Sequence, residues 1–372
     1  MALTIPKRMD EITADWLTDA LRSSGVIKDA KITETAREQI GVGVGILGEL
    51  ARITLTYDRD EAGAPPTIVA KLPTQDPGGF GVAQMLGFYE KEAHIYHELA
   101  QELAAPRNYY SARDAEKQAY VILMEDVGSL RQGDQVEGAS VADADLLIQE
   151  VAKMHAQWWD RSQLEALEWI PTPAAPELKL AQTSAMMSLE PFLTNFGSRL
   201  SDRQRGVVQA MAPRMMAMQD AFSERPQTLN HGDLRLDNIF FGSTDGSRAL
   251  TLIDWQITVK ARGPYDIAYF LSQSIDPGER KANEKDWMKG YYEVAVAEKN
   301  TYSWDQCWDD YRVATLYCVA YPLIAGGSID LGNERGVELV GRMAERSLTA
   351  VTDLNADELL ERYEERPPII PS

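Results

Sequence analysis

Two periodicities divide this chain, and the change from one to the other most limits what it can fold into. Up to about residue 126, apolar residues recur at every second position in short runs. Beyond about residue 140, they recur at helical spacing almost to the end. In 49–57, Ala51, Ile53, Leu55 and Tyr57 share one face, and Arg52, Thr54 and Thr56 share the other. Strands are expected over 31–40, 49–57 and 67–72 and near 107–113 and 118–125. A short helix over 11–24 precedes them, and a helical stretch over 82–103 lies among them. Further helices are expected over 141–159, 201–222, 279–297, 304–324 and 334–351. Among these, 228–254 holds two short apolar runs, NIFF and ALTLI. Strands first and helices after imply an α+β chain with segregated parts. The expected parts are a small β-rich N-terminal lobe, 1–126, and a larger, mainly helical lobe, 127–372. Residues 127–139, rich in glycine and polar residues, read as the linker.

The 372 residues allow two or three domains, or one fold with two lobes. Lys and Arg number 37 against 57 Asp and Glu, a formal charge of −20. That balance argues against broad binding to nucleic acid or an anionic membrane, which needs a positive footprint. It favours a cationic small ligand, although an acidic surface ordinarily serves solubility. Cys307 and Cys318 fit neither a disulfide framework nor a metal cluster. The N-terminal residues lack the apolar stretch of a signal peptide, and no apolar run is long enough for a transmembrane helix. The expectation is a cytoplasmic protein with no membrane span; the pattern says nothing about oligomeric state.

The densest polar pattern is His231-Gly-Asp233-Leu-Arg235-Leu-Asp-Asn238, followed by Ile253-Asp254-Trp255-Gln256. Asp233 and Asn238 are five apart, and Asp254 follows sixteen later behind ALTLI. One carboxylate is thus placed to act as a base. An amide and a second carboxylate are placed to hold a hard cation such as magnesium, which takes oxygen ligands. Upstream, Gly43, Gly45 and Gly48 spell G-x-G-x-x-G. A dinucleotide-binding turn would require strand, loop, then helix. Here an alternating strand follows, so a phosphate-covering hairpin is the better reading. Lys71 lies in the strand segment Ile68-Val-Ala-Lys71-Leu, and Glu92 lies in the helical stretch beyond it.

At these residues the chain resembles the protein-kinase-like superfamily, and within it the aminoglycoside phosphotransferase and choline kinase branch. Asp254-Trp255-Gln256 and the later Gly263-Pro-Tyr-Asp266-Ile-Ala-Tyr-Phe-Leu look most like the ecdysteroid-kinase-like group. HGDLRLDN is also similar to the phosphotransferase-like domains fused to some acyl-CoA dehydrogenases. The resemblance covers about residues 35–275. It implies a two-lobed kinase-like fold, with ATP and Mg2+ as cofactors. Gly43, Gly45 and Gly48 would cover the phosphates, and Lys71, paired with Glu92, would hold them. Glu90 and Glu98 are rival partners for that lysine. Leu123-Met-Glu125-Asp126-Val127 resembles the hinge, where backbone groups of Glu125 and Val127 would meet the adenine edge. Asn238 and Asp254 would bind magnesium, and Asp233 would take the acceptor proton. Arg235 stands where a protein kinase often carries a lysine that reaches the transferred phosphate, and would neutralise charge there. His155, His231 and Asp266 would support the catalytic loop.

The implied activity is transfer of the ATP γ-phosphoryl group to a hydroxyl of a small molecule. The family's link to sterol-like or lipophilic alcohols competes with a cationic acceptor of aminoglycoside or choline type. A non-catalytic nucleotide-binding pseudokinase is the alternative outside enzymology, against which the complete polar set counts. Trp158, Trp159, Trp304, Trp308, Tyr311, Tyr317 and Tyr321 are candidates for acceptor-site walls, although core packing is the simpler reading for any one of them.

Overall fold

The computed structural model describes residues 3–41, 47–296 and 302–369. The chain forms two compact units. The first is Met1–Arg131 with Phe240–Ile257, and the second is Gln132–Ile239 with Thr258–Ser372.

The first unit is built on a five-stranded antiparallel sheet of order β1-β2-β3-β5-β4. The strands are β1 (Ile32–Ile40), β2 (Gly48–Tyr57), β3 (Thr67–Pro73), β4 (Asn108–Asp114) and β5 (Ala119–Glu125). Their alternation sorts side chains between two faces. Ile53, Leu55, Ile68, Ala70, Leu72, Val121 and Leu123 meet Leu17, Ala20 and Leu21 of helix α1 (Ala14–Ser23) in one core. The Thr13 hydroxyl caps α1 by accepting from the Trp16 N–H at 3.2 Å. Burial of each of the leucine, isoleucine and valine side chains among these contributes about 1.5–3 kcal/mol.

On the opposite face, Tyr120 packs with Ala83, Phe88 and Tyr89 of helices α2 (Pro77–Met85) and α3 (Phe88–His94). Residues 82–103 are therefore not one helix. Gly87, at φ +66°, ends α2 in the left-handed conformation that glycine adopts without strain. Then α3 runs on into a π-turn, Ile95–Leu99. The hairpin Ile239–Phe241 and Leu250–Leu252 returns to this unit: the Leu252 N–H donates to the Ala104 carbonyl at 2.6 Å. The Arg248 guanidinium donates to the Leu103 and Ala105 carbonyls.

The second unit is helical, from α4 (Val141–Trp158) and α5 (Ser162–Ala166) through α6 (Leu180–Phe196), α7 (Asp202–Met211) and α8 (Met215–Phe222). It continues with α9 (Pro264–Ser274), α10 (Pro277–Ala295), α11 (Trp304–Tyr317), α12 (Ala320–Ser328) and α13 (Glu334–Asp353). Pro213 lies in the 3-10 turn that parts α7 from α8, because a proline has no N–H to continue the helical ladder. Helices α6 and α12 cross closely at Gly326, where a Cβ would stand 2.7 Å from the Phe192 ring. Every residue of α9 is buried. The short antiparallel pair Thr228–Asn230 and Val259–Ala261 leads the chain into the loop 231–238.

Residues 127–139 do not behave as a free linker. Gln135, Val136 and Ala139 are buried, and Ala139 bridges Ile275. Composition reads glycine and polar residues as solvent-facing, whereas here most polar groups have fixed partners.

Candidate active site

In the first unit, the alternation that sends Ile68, Ala70 and Leu72 into the core turns Lys71 to the α3 face. Its ammonium lies 2.7 Å from Glu92 Oε1 and 2.9 Å from Asp254 Oδ1. Of the candidates Glu90, Glu92 and Glu98, Glu92 is the one paired with Lys71. The Glu98 carboxylate instead meets His94 at 2.6 Å, and Glu90 stands 4.0 Å from Arg113. Asp254 sits just beyond the strand Leu250–Leu252 at φ +66°, a conformation few residues other than glycine, asparagine and aspartate accept. Strain of this kind costs about 1–3 kcal/mol and needs surrounding structure to hold it. Here the buried Trp255 indole anchors the turn by donating to the Leu252 carbonyl at 2.9 Å.

One ammonium thus serves two carboxylates in a largely dry cluster. Burial opposes the charge on Lys71, but Asp254 and Glu92 more than offset it and raise its pKa. Burial pushes Glu92 up to about 7, and Asp254 adds to this, against the pull of Lys71. With both carboxylates ionised, Lys71, Glu92 and Asp254 together bear a net negative charge.

Gly43 and Gly45 lie outside the described residues. Gly48 opens β2, where a Cβ would stand 3.2 Å from Lys71 Cε, so the glycine leaves room for the lysine stem. Glu125 ends β5, and its N–H donates to the Arg107 carbonyl at 2.9 Å. The Val127 carbonyl accepts from the Leu130 N–H at 3.0 Å.

In the second unit, the loop 231–238 is held by hydrogen bonds at each step. Asp266 on α9 accepts from the N–H groups of His231 at 2.7 Å and Gly232 at 2.9 Å. His155 lies 3.3 Å from the same carboxylate and 2.8 Å from the Tyr291 hydroxyl. Asp233 Oδ1 accepts from the Tyr269 hydroxyl at 2.8 Å, and Oδ2 accepts from the Asn238 amide at 3.1 Å. The Asn238 amide nitrogen also donates to the Asp233 carbonyl at 3.0 Å, which turns the amide oxygen away from Asp233. Arg235 bridges two carboxylates, with Nε 3.6 Å from Asp233 Oδ2 and Nη1 3.4 Å from Asp237 Oδ2.

Tyr269 was not among the sequence candidates. Its signal was its place three residues after Asp266 on one helix, which puts both side chains on the same face. Burial holds the Tyr269 phenol well above its ordinary pKa, and the neighbouring Asp233 reinforces this, so the hydroxyl stays a donor. Of the aromatic wall candidates, Trp158, Trp159, Tyr311 and Tyr317 are buried in the helical core. Tyr321 stays partly exposed beside the loop, and its hydroxyl donates to the Gly232 carbonyl at 2.9 Å.

The donor chemistry fits a hard cation. In the first unit Asp254 offers a carboxylate oxygen, and in the second unit Asn238 offers an amide oxygen, both of the ligand type that magnesium takes. Magnesium completes its shell with water and phosphate oxygens, so a protein-only cage is not required. Indeed, among the described residues no group of three or more His, Cys, Asp or Glu side chains could hold a metal. Cys307 and Cys318 are free and buried.

Residues 43–302 match the model of the ecdysteroid kinase-like family, and the chain belongs to that family. No curated protein matches it significantly. Among solved structures, a candidate aminoglycoside phosphotransferase from Ralstonia eutropha JMP134 is similar at 15% identity and TM-score 0.53, covering 94% of this chain and 98% of that one. A choline kinase from Cryptosporidium parvum Iowa II is similar at 10% identity and TM-score 0.51, covering 88% and 89%. A Plasmodium vivax ethanolamine kinase is similar at 11% identity and TM-score 0.51, covering 92% and 87%. The fold is α+β and protein-kinase-like. No helix among the described residues is long and apolar enough to cross a membrane.

Proposed function

We propose that this protein is an ATP- and magnesium-dependent phosphotransferase that moves the γ-phosphoryl group to a hydroxyl of a small molecule. The observation that carries the reading is the Lys71 ammonium held between Glu92 and Asp254. A lysine fixed by a helix glutamate is what binding of the α- and β-phosphates needs. In this reading, the first unit forms the nucleotide lobe and the second the catalytic and substrate lobe, with Phe240–Ile257 counted in the first rather than with the expected 127–372. The glycines Gly43, Gly45 and Gly48 cover the phosphates. The Glu125 carbonyl and the Val127 N–H meet the adenine edge. Asn238 and Asp254 hold magnesium, which neutralises phosphate charge when bound.

Asp233 orients the acceptor hydroxyl through a carboxylate already fixed by Tyr269 and Asn238, and it accepts the hydroxyl proton late in the transfer. Arg235 faces the same carboxylate, and in this reading its charge stabilises the equatorial oxygens of the transferred group. Two buried free cysteines suit a reducing cytoplasmic setting. The formal charge of −20 favours a cationic acceptor over a neutral lipophilic alcohol.

The test is ADP release with magnesium and ATP across a panel of aminoglycosides, choline-like alcohols, sugars and sterols. Acceptor-dependent release is expected for one class. Magnesium-dependent ATP binding with no release for any class would favour a non-catalytic nucleotide-binding role.

A further inference from the structure

The two ends of the loop 231–238 are held by different parts of the second unit. Asp266 holds the entry, at His231 and Gly232. The exit, the 3-10 turn Leu236–Asn238, is held by residues 132–139. We propose that Gln135 is a positioning residue for phosphoryl transfer, setting the place of Asn238 through the turn that carries it; this rests on the phosphotransferase reading above.

Gln135 is fully buried, and each end of it is engaged. Its N–H donates to Asp237 Oδ1 at 3.1 Å. Its side-chain oxygen accepts from the Leu236 N–H at 2.7 Å and from the Ser274 hydroxyl at 3.1 Å. Its side-chain nitrogen donates to the Gln273 carbonyl at 2.8 Å. One carboxamide therefore ties the turn that carries Asn238 to the end of α9, whose beginning carries Asp266.

The neighbouring residues repeat the contact. The Gln132 amide donates to the Asp237 carbonyl at 2.7 Å, and the Gly133 N–H donates to the Ile239 carbonyl at 2.9 Å. A Cβ on Gly133 would stand 2.7 Å from the Leu236 carbonyl, so this approach requires glycine. Behind the segment, the buried Arg346 guanidinium donates to the carbonyls of Gln135 at 2.6 Å and Val136 at 3.0 Å. It also donates to Gln273 at 3.2 Å, clamping the same two stretches that Gln135 joins. Gly138 follows at φ +91°, where a Cβ would stand 2.8 Å from Arg346 Nη2.

Asn238 has its amide nitrogen on Asp233, so rotation of the turn would move the amide oxygen and the base together. Outer groups that orient a metal ligand typically set metal affinity or activity by about 10–100-fold.

The experiment compares wild type with Gln135→Met, which keeps length and removes the donor and acceptors. Nucleotide binding is measured by calorimetry as magnesium is titrated, alongside turnover and thermal melting. The expected result is an apparent magnesium affinity about 10-fold weaker and a kcat about 10-fold lower, with metal-free nucleotide affinity unchanged. A folded variant with wild-type magnesium dependence overturns the proposal. Equal losses with and without magnesium also overturn it, because they would mark a general structural role. If Gln135→Met does not fold, Arg346→Lys decides, since a single ammonium cannot span the same carbonyls. A folded Arg346→Lys protein must show the same selective magnesium effect, and its absence overturns the proposal. Wild type lacking any magnesium-dependent nucleotide binding would instead defeat the phosphotransferase reading itself.

Discussion

The Lys71 cluster and the Asp233 loop are both polar and both largely buried, yet they are built on opposite principles. At Lys71, one cation faces two carboxylates, and Glu92 is pushed up to about 7 by burial and the surplus of negative charge. At Asp233, each carboxylate oxygen has a hydrogen-bond donor, and the loop is clamped at entry and exit. The first has more acid than base, which under the proposed reading an arriving cation would offset. The second is complete beforehand, as a site must be when catalysis depends on fixed geometry. An enzyme that binds a metal–nucleotide complex and then directs a hydroxyl needs one of each.

The sharpest way to break this contrast is Asp233→Asn. Loss of the base should lower kcat by about 10²–10⁴-fold while nucleotide binding persists, read by ADP release beside calorimetry. Next is Lys71→Met, which removes the ammonium that pairs with both Glu92 and Asp254. Phosphate affinity should fall roughly 10-fold or more, as for loss of a charge-assisted hydrogen bond of about 1.5–3 kcal/mol. The variant should also lose thermal stability in metal-free buffer, because the buried Glu92 and the half-buried Asp254 lose their shared ammonium.

The pH dependence sharpens the contrast further. Glu92 titrates near its ordinary 4.5 when unfolded and at about 7 when folded. Between those values, the folded chain keeps a proton that the unfolded chain has released. The stability tied to that proton is full below about 4.5 and is lost as pH rises through about 7. Metal-free melting temperature should therefore fall over this window, and Glu92→Gln should flatten the fall. An unchanged slope would mean that Glu92 does not carry the surplus charge. The smallest effect is expected for Tyr269→Phe, which leaves the Asn238 bond to Asp233 in place. Turnover should drop about 3–10-fold, as for one hydrogen bond of about 1 kcal/mol, with the Km for ATP unchanged.

Much of the first unit was legible in the chain. Alternation in β2 and β3 sorted core from surface, and it also determined which face Lys71 would take. After residue 140 the spacing made α4, α10 and α13 legible, but α6 and α9 were missed, and the breaks at Pro213 and between α11 and α12 were read through, as the break at Gly87 was in the first unit. Three kinds of information were not local. Glu90, Glu92 and Glu98 share one stretch, and only the packing of α3 against the sheet selects a partner for the lysine. Polar residues in 132–139 looked solvated because their partners lie about a hundred residues away, as Gln135 and Leu236 do. The return of Phe240–Ile257 to the first unit depends on bonds such as Leu252 to Ala104, which no periodicity announces.

The division of labour between the two regions is tested most directly by calorimetry of ATP binding, with and without magnesium, in wild type, Asp254→Asn and Asp233→Asn. The account predicts magnesium-strengthened binding in wild type, loss of that strengthening in Asp254→Asn, and near wild-type behaviour in Asp233→Asn. Binding equally impaired in both variants, or insensitive to magnesium in all three proteins, would contradict it.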